Sequence, residues 1–371
     1  MKNMMNKKTT RYLWLPTFVV ASAMAMVSCR TNTLPSADGT TKNSRQAYSP
    51  SVYVYLNKAN ERERLDEVGA RGYKAKDWRL EVLNGRKEMP ANFRWSGGDF
   101  IPAASASLPE PNYTPSRQGL DELFVSGSGR FTVKQLEALT EFVDQKAPGK
   151  KKYIVDVRNE CHGFVNGHHV SWYGYINWAN IGKHRDEIMR EEEQLFRSIQ
   201  GKTILAGKIV GANNYVMTDS TWINVKADSA QTEKEVVESH GWGYRRLTAL
   251  DHGFPSDEII DQFIDIYRSI PKDAWVHFHC QAGFGRTTLY MCFIDMLRNP
   301  DVPLKDILYR QTCLGGSSMY YQGDRPTEQP WRVQLFTETS YLVPLFYDYV
   351  QANKKNGYTK SWTEWKKKKL K

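Results

Sequence analysis

Cysteine is scarce in this 371-residue chain, five in all, and no pair has the C-x-x-C or C-x-H spacing that gathers zinc. There is no internal repeat. Nor is there an unbroken apolar run of roughly 20 residues, the length a spanning helix needs; the nearest, Tyr12 to Val27, contains Pro16. A surface of one charge sign is missing too, although the formal net charge is +10. Residues 1–28 hold four positive charges, Lys2, Lys7, Lys8 and Arg11, and no acid. Gln351 to Lys371 carries eight lysines against Glu364, a balance of +7. The body between is close to neutral, about −1, which excludes the broad basic face that nucleic-acid binding requires. The tail lysines read as a solvated end, with contact to anionic lipid as the alternative. An apolar fraction of 40% and a charged fraction of 25% are ordinary for a soluble globular protein.

What is present begins with a targeting signal. The basic start, the apolar stretch and the small residues before Cys29 have the order of an export signal over residues 1–28. Met26-Val27-Ser28-Cys29 looks like a bacterial lipobox, with Met26 unusual at its first position. Lipidation of Cys29 is the leading outcome; ordinary cleavage near Ala23 or Ala25 and a short N-terminal membrane anchor are the others. Each gives an exported protein, periplasmic or at the cell surface. Residues 29–50 are rich in Ser, Thr and Asn and read as a tether. Residues 51–355 form the expected domain, and 356–371 a Lys-rich tail. In an oxidising compartment Cys161 or Cys313 could enter a disulfide with a partner the sequence leaves open; Cys292 reads as core.

Strands are expected at Val52–Leu56, Asp77–Val82, Tyr153–Arg158 and Trp275–His279. Helical spacing marks a helix after Thr132, one from Arg185 to Ile199 and one from Glu233 to Ser239. Ser256 is placed to cap a helix with Asp257 and Glu258 in its first turn. Further helices are expected at Thr287–Leu297, Leu304–Arg310 and Thr337–Asn353. Strand–loop–helix alternation predicts an α/β fold with helices on both faces of a sheet.

The chemistry concentrates in Cys280-Gln281-Ala282-Gly283-Phe284-Gly285-Arg286-Thr287-Thr288, a loop between a buried strand and a helix. Backbone N–H groups of such a loop can converge on an anion at the helix N-terminus. Gly283 and Gly285 permit tight curvature, and Arg286 offers a planar fork for two phosphoryl oxygens. A cysteine so placed is poised as a thiolate nucleophile. Thr287 is expected to hydrogen-bond the sulfur, and His279 to order the loop. Coincidence of all these types in one loop is improbable; a packed, inert cysteine gives arginine and two glycines no role. Asp251, in LDHGFPSDE, is the candidate general acid, its pKa raised when a loop closes over it; the competing reading is a turn aspartate.

HCQAGFGRTT resembles the signature of the protein tyrosine phosphatase superfamily. More narrowly, PANFR (90–94), YIVDVRNECHGFVNG (153–167), SWYGYINWANIG (171–182), LTALDHGFP (247–255), DAWVHFHC (273–280), DILYRQ (306–311) and YVQANKKNGY (349–358) are similar to the bacterial protein-tyrosine-phosphatase-like phytases. The resemblance implies a phosphatase core with a small, partial β-barrel unit, no metal or cofactor, and a myo-inositol polyphosphate substrate. By position it makes Cys280 the nucleophile, Arg286 the phosphate clamp and Asp251 the acid. It places His252, Asp156, Arg94 and Arg332 toward the substrate, with Arg158 and His162 in support. Departures are Gln281 where glutamate is usual, Phe254 for tryptophan, and Phe336 and Thr339 where a tyrosine and a lysine are expected. Two other readings remain, a phosphatase for phosphotyrosine peptides and a weakly catalytic lipoprotein that binds inositol phosphates. Intact mass of the mature protein decides whether Cys29 carries lipid.

Overall fold

The computed structural model describes residues 77–174, 177–208, 222–319 and 330–371, and only the backbone of 208 and 330–334. The expected signal segment, the tether, the Val52–Leu56 strand and the Arg332 side chain lie outside the described residues. In chain order the first elements are β1 (Asp77–Val82), β2 (Arg94–Trp95), α1 (Pro102–Ser105), β3 (Val125–Ser128), α2 (Val133–Lys146), β4 (Lys152–Asp156), β5 (His162–Val165) and β6 (His168–Tyr173). Then come α3 (Arg185–Ile199), β7 (Thr203–Lys208), β8 (Trp222–Lys226), β9 (Ala230–Thr232), α4 (Glu233–Ser239), β10 (Gly243–Arg246) and α5 (Asp257–Ser269). The last are β11 (Trp275–His279), α6 (Gly285–Arg298), α7 (Leu304–Cys313), α8 (Pro330–Asn353) and α9 (Trp362–Lys369).

One sheet has the order β10-β4-β11-β3-β2, parallel except for the edge strand β2. Its central strand β11 is buried throughout, and its side chains alternate between two cores. Val276 and Phe278 pack among α5, α6, α8 and α9; Trp275 packs on the opposite face with Leu139 and Val143 of α2 and Val237 of α4. Helix α6 is apolar nearly all round and buried from Arg286 to Leu297, so it runs through the larger core. Side-chain caps open α2, α4, α5 and α9. The Thr132 and Thr232 side chains each accept from the N–H three residues on and are answered by Gln135 and Glu235. Ser256 accepts from Ile259 N–H at the start of α5, as its position predicts.

A second sheet, β8-β7-β1-β6-β5-β9, is antiparallel apart from the β1–β7 pair. It is the expected β unit, and with six strands it is larger than the central sheet. Most of its strands were not foreseen, because β5 and β6 are rich in His, Gly and Ser rather than in alternating apolar residues. In β1, Trp78 and Leu80 feed this sheet's own core, while Arg79 and Glu81 are buried on the other face.

Two expectations are corrected here. The C-terminal segment is not a solvated end: Ser361 caps α9, and Trp362 and Trp365, three apart on one helix face, are buried against Phe346 and Tyr349. Lys366 Nζ lies 2.5 Å from Asp257 Oδ1, which also accepts from Trp362 Nε1 at 2.8 Å. The lysines masked the apolar stripe in the sequence. Cys161 and Cys313 are buried and unpaired, as is Cys292 in the core. No described helix is long and apolar enough to cross a membrane.

Because α9 is anchored by a fully buried tryptophan, Trp362→Ala is expected to cost about 3–5 kcal/mol of unfolding free energy. A denaturant midpoint equal to that of the parent would place α9 off the body.

Candidate functional site

The parallel strands β10, β4, β11 and β3 deliver their carboxyl ends to one edge of the sheet, where an open α/β sheet presents its loops for ligands. β11 runs out at His279, level with Asp156 of β4 and Ser128 of β3, and the chain turns at Cys280. Gly283 has φ +80°, and a Cβ there would meet Gly129 N at 2.3 Å, so only glycine fits. Gly285 differs: a Cβ on it would meet nothing within 4 Å, and its bareness faces open space at the start of α6. Phe284 occupies the N-cap without a side-chain cap and is 44% exposed, leaving the first N–H groups of α6 available to an anion. Gly283 N–H already donates to Cys280 Sγ at 3.2 Å.

The loop is tied from behind. Asn92 Nδ2 donates to the Ala282 carbonyl at 2.7 Å, Arg94 Nη1 to the Gly283 carbonyl at 2.7 Å, and Arg130 Nη1 to the Gln281 carbonyl at 2.8 Å. Arg94 also reaches Thr288 Oγ1 at 2.9 Å and is 4% exposed. Burial brings its pKa down to about 10, against the pull of Cys280. The structure therefore turns Arg94 onto the loop rather than toward a substrate. Thr287 is likewise corrected, since its hydroxyl donates to the Ser128 carbonyl at 3.3 Å and not to the sulfur.

Arg286 is gripped by a residue the sequence reading passed over. Glu160 accepts from both guanidinium ends, Nη1 at 2.9 Å and Nη2 at 3.1 Å, and from Arg158 Nε at 2.7 Å. Burial opposes its charge, yet Arg286 and Arg158 hold its carboxyl far below the usual carboxylate range. This bidentate pair presents the guanidinium at a fixed angle. Its only sequence signal was an acid near Arg158 in the strand-end segment.

Asp251 lies beside the loop, its side chain 19% exposed, with Oδ2 at 3.2 Å from Arg286 Nη2. Asn177 Nδ2 donates to the same oxygen at 2.8 Å, and Trp178 Nε1 to the Asp251 carbonyl at 3.0 Å. The expected raised pKa is not seen in this state. Burial pushes it up, but Arg286 and then His252 bring it below the ordinary value. His252 follows with φ +70°, a left-handed position uncommon for a side-chain-bearing residue, and its N–H donates to Asp251 Oδ1 at 3.0 Å.

Beneath the loop is a layer of buried charge. Asp156, expected near the substrate, is fully buried and takes Arg246 Nη1 at 2.6 Å, Tyr244 Oη at 2.7 Å and the Arg158 N–H at 2.9 Å. It frames the site from below. His279 Nε2 lies 2.6 Å from Glu233 Oε1, and His162 Nε2 lies 3.1 Å from both Asp156 and Glu233. Glu81 of β1 receives Gln281 Nε2 at 3.0 Å and lies 3.3 Å from Arg158 and from Arg130, joining the second sheet to the loop. Arg79, over the Tyr173 ring at 4.7 Å, is fully buried, and its guanidinium nitrogens have no hydrogen-bond partner among the described residues. Neither Glu81 nor Arg79 carried a motif. Thr339 spends its hydroxyl on the Leu335 carbonyl at 2.9 Å.

Among the described residues, His162, His169 and Glu233, or Asp156, Glu233 and His279, could gather a metal ion. Two donors on one tetrahedral zinc would stand ~3.3 Å apart. The 2.6 Å between His279 and Glu233 is too short for that and marks a direct contact of imidazole and carboxylate. Charge pairing also explains His162, whose pKa rises to about 9: burial and Arg158 oppose its charge, while the Asp156 carboxylate beside it favours that charge through both its own charge and a hydrogen bond.

A cysteine at the turn of a strand–helix loop, an arginine fixed beside it and a carboxylate on a facing loop define the protein tyrosine phosphatase class of architecture. The family model for PTP-like phytases, described as inositol hexakisphosphate, matches residues 155–298. A PTP-like myo-inositol phosphatase from Mitsuokella multacida, solved with myo-inositol-(1,3,4,5)-tetrakisphosphate, is 36% identical with TM-score 0.73, over 81% of this chain and 51% of that one. A PTP-like phytase from Bdellovibrio bacteriovorus is 29% identical with TM-score 0.59, over 80% of this chain and 97% of that one. The effector protein hopD2 of Pseudomonas syringae pv. tomato is 28% identical over 256 residues, 67% of this chain and 53% of the relative. The chain thus spans about half the length of the effector and of the Mitsuokella protein. It belongs to the PTP-like phytase family.

The His162 pairing gives a pH signature. Because its folded pKa is raised, its contribution is full below the unfolded value near ~6.5 and is lost as pH rises through about 9. Unfolding free energy should therefore fall over that window, and His162→Gln should flatten the fall while lowering stability at pH 6. An unchanged slope in the variant would remove the paired imidazolium.

Proposed function

We propose that the protein hydrolyses phosphate monoesters of myo-inositol polyphosphates through a phosphocysteine intermediate. The observation that carries the reading is the loop itself. Cys280 Sγ sits under the Gly283 N–H, at the uncapped start of α6, with Arg286 clamped alongside by Glu160. Support for the substrate class comes from family membership and from the inositol tetrakisphosphate bound by the Mitsuokella relative.

In the first step a sulfur electron pair forms the P–S bond as the P–O bond to the inositol breaks. The phosphoryl oxygens take the α6 N–H groups and the Arg286 fork, and Asp251 gives its proton to the departing oxygen. In the second step water attacks phosphorus, Asp251 takes its proton, the P–S bond breaks and inorganic phosphate leaves. Asp251 starts as a carboxylate on Arg286. An incoming phosphate dianion both competes for that guanidinium and sets negative charge beside the acid, and each effect raises its proton affinity. His279 and Asp156 act from beneath, by holding the strand end that carries Cys280. Export through residues 1–28, with lipid on Cys29, is proposed from the sequence alone.

Cys280→Ser is expected to reduce phosphate release from inositol hexakisphosphate to background, and acid-quenched parent enzyme to carry phosphate on Cys280. Turnover surviving in the variant sinks the covalent route. Asp251→Asn should slow inositol phosphates about 10²–10⁴-fold, with a far smaller loss on an aryl phosphate whose leaving group needs little protonation. Equal losses on the two substrates would take Asp251 out of the acid role.

A further inference from the structure

We propose that Asn177 is a positioning residue that couples the acid loop to the phosphate loop and selects which oxygen of Asp251 carries the proton. The inference rests on the acid role of Asp251 proposed above.

Asn177 lies in the turn after β6 and is 1% exposed. Its single amide nitrogen is 2.8 Å from Asp251 Oδ2 and 2.8 Å from Gln281 Oε1. An NH2 group has two hydrogens, and both are used. The reverse amide orientation would set Oδ1 against two oxygen acceptors, so the network itself fixes the flip. Gln281 then donates to Glu81 Oε1 at 3.0 Å. One chain of hydrogen bonds thus runs from the acid, through the residue after the nucleophile, to the second sheet. Trp178 adds its indole N–H on the Asp251 carbonyl, so neighbouring residues hold both the side chain and the backbone of the acid.

The backbone is specialised for the task. Asn177 has φ +66°, a left-handed position open to Asn, Asp and Gly and costly for most other residues. The groups facing Asp251 are Arg286 from α6, His252 from its own loop, Glu160 from beyond β4, and Asn177. Arg286 and Asn177 both approach Oδ2, whereas Oδ1 receives the His252 backbone N–H. Oδ2 is thereby saturated with donors, and the proton goes to Oδ1. Loss of the Asn177 donor frees Oδ2, favours the protonated acid and lets the carboxyl rotate.

The test uses Asn177→Gly, which keeps the left-handed backbone and removes the amide, and Asn177→Asp, which keeps the shape and replaces the donor by a charge. Rates against pH are measured on inositol hexakisphosphate and on p-nitrophenyl phosphate, with Asp251→Asn alongside. A protonated acid is required, so inositol phosphate turnover falls as pH rises through its pKa. Without the donor this alkaline limb should move up by about one unit in Asn177→Gly and further in Asn177→Asp. At the optimum, inositol phosphate turnover should drop about tenfold and aryl phosphate turnover two- to threefold at most. An unmoved limb in both variants overturns the inference, and so does an equal loss on both substrates at every pH. In either case a selective loss in Asp251→Asn leaves the acid role standing. Equal losses in Asp251→Asn would instead take down the acid role and the inference with it.

Discussion

A guanidinium sits inside a nearly dry loop, and the rest of the molecule is arranged around the cost of putting it there. Arg286 is 4% exposed. Removing one partner from such a buried pair typically costs 3–5 kcal/mol, so the charge demands an equally buried acid. Glu160 supplies it and is shared with Arg158. Arg158 in turn needs Glu81, and Arg246 needs Asp156 and Glu192. The charges form a connected layer because no member could be buried alone.

That layer explains why the fold has two sheets in contact with one loop. Glu81 sits on β1 of the six-stranded sheet, Asp156 and Arg246 end β4 and β10 in the other, and Glu160 lies in the link from β4 to β5 that joins the two. The loop from Cys280 to Phe284 hangs between them, with its carbonyls held by Asn92, Arg94 and Arg130. Those carbonyls point back into the protein and leave the N–H groups to face an anion. Positive potential at the mouth is therefore a result of where the backbone acceptors are fastened as much as of Arg286 itself.

Much of this frame was legible. Cysteine, arginine and glycines between a buried strand and a helix admit few explanations, and β11 runs from Trp275 to His279 as read. Capping residues at 132, 232 and 256 mark helix starts because an N-cap is a local bond across three residues. Helices α3 and α4 match their expected spans, although His184 before α3 makes no side-chain cap and Thr232 before α4 was not singled out in the sequence. Strands β5 and β6 were missed because His162, His169 and Ser171 are buried in the charge layer among apolar neighbours, which breaks the alternation that announces a strand; in β7 and β8, Leu205 and Ile223 are exposed. The lysines of α9 hid its two tryptophans in the same way.

The sequence alone determined the candidate nucleophile, clamp and acid, and the α/β class, because each depends on residue type at short spacing. Tertiary structure decided which way the other polar residues face. Arg94 and Asp156 had side chains suited to touching substrate, and the fold spends both on holding the loop from behind. Glu81 carried no motif, and Glu160 and Asn177 lay in family-like segments without an assigned role, since their partners are 200, 126 and 74 or 104 positions away. Local patterns report bonds made within a few residues; the pairing of buried charges is settled only when distant segments are packed together.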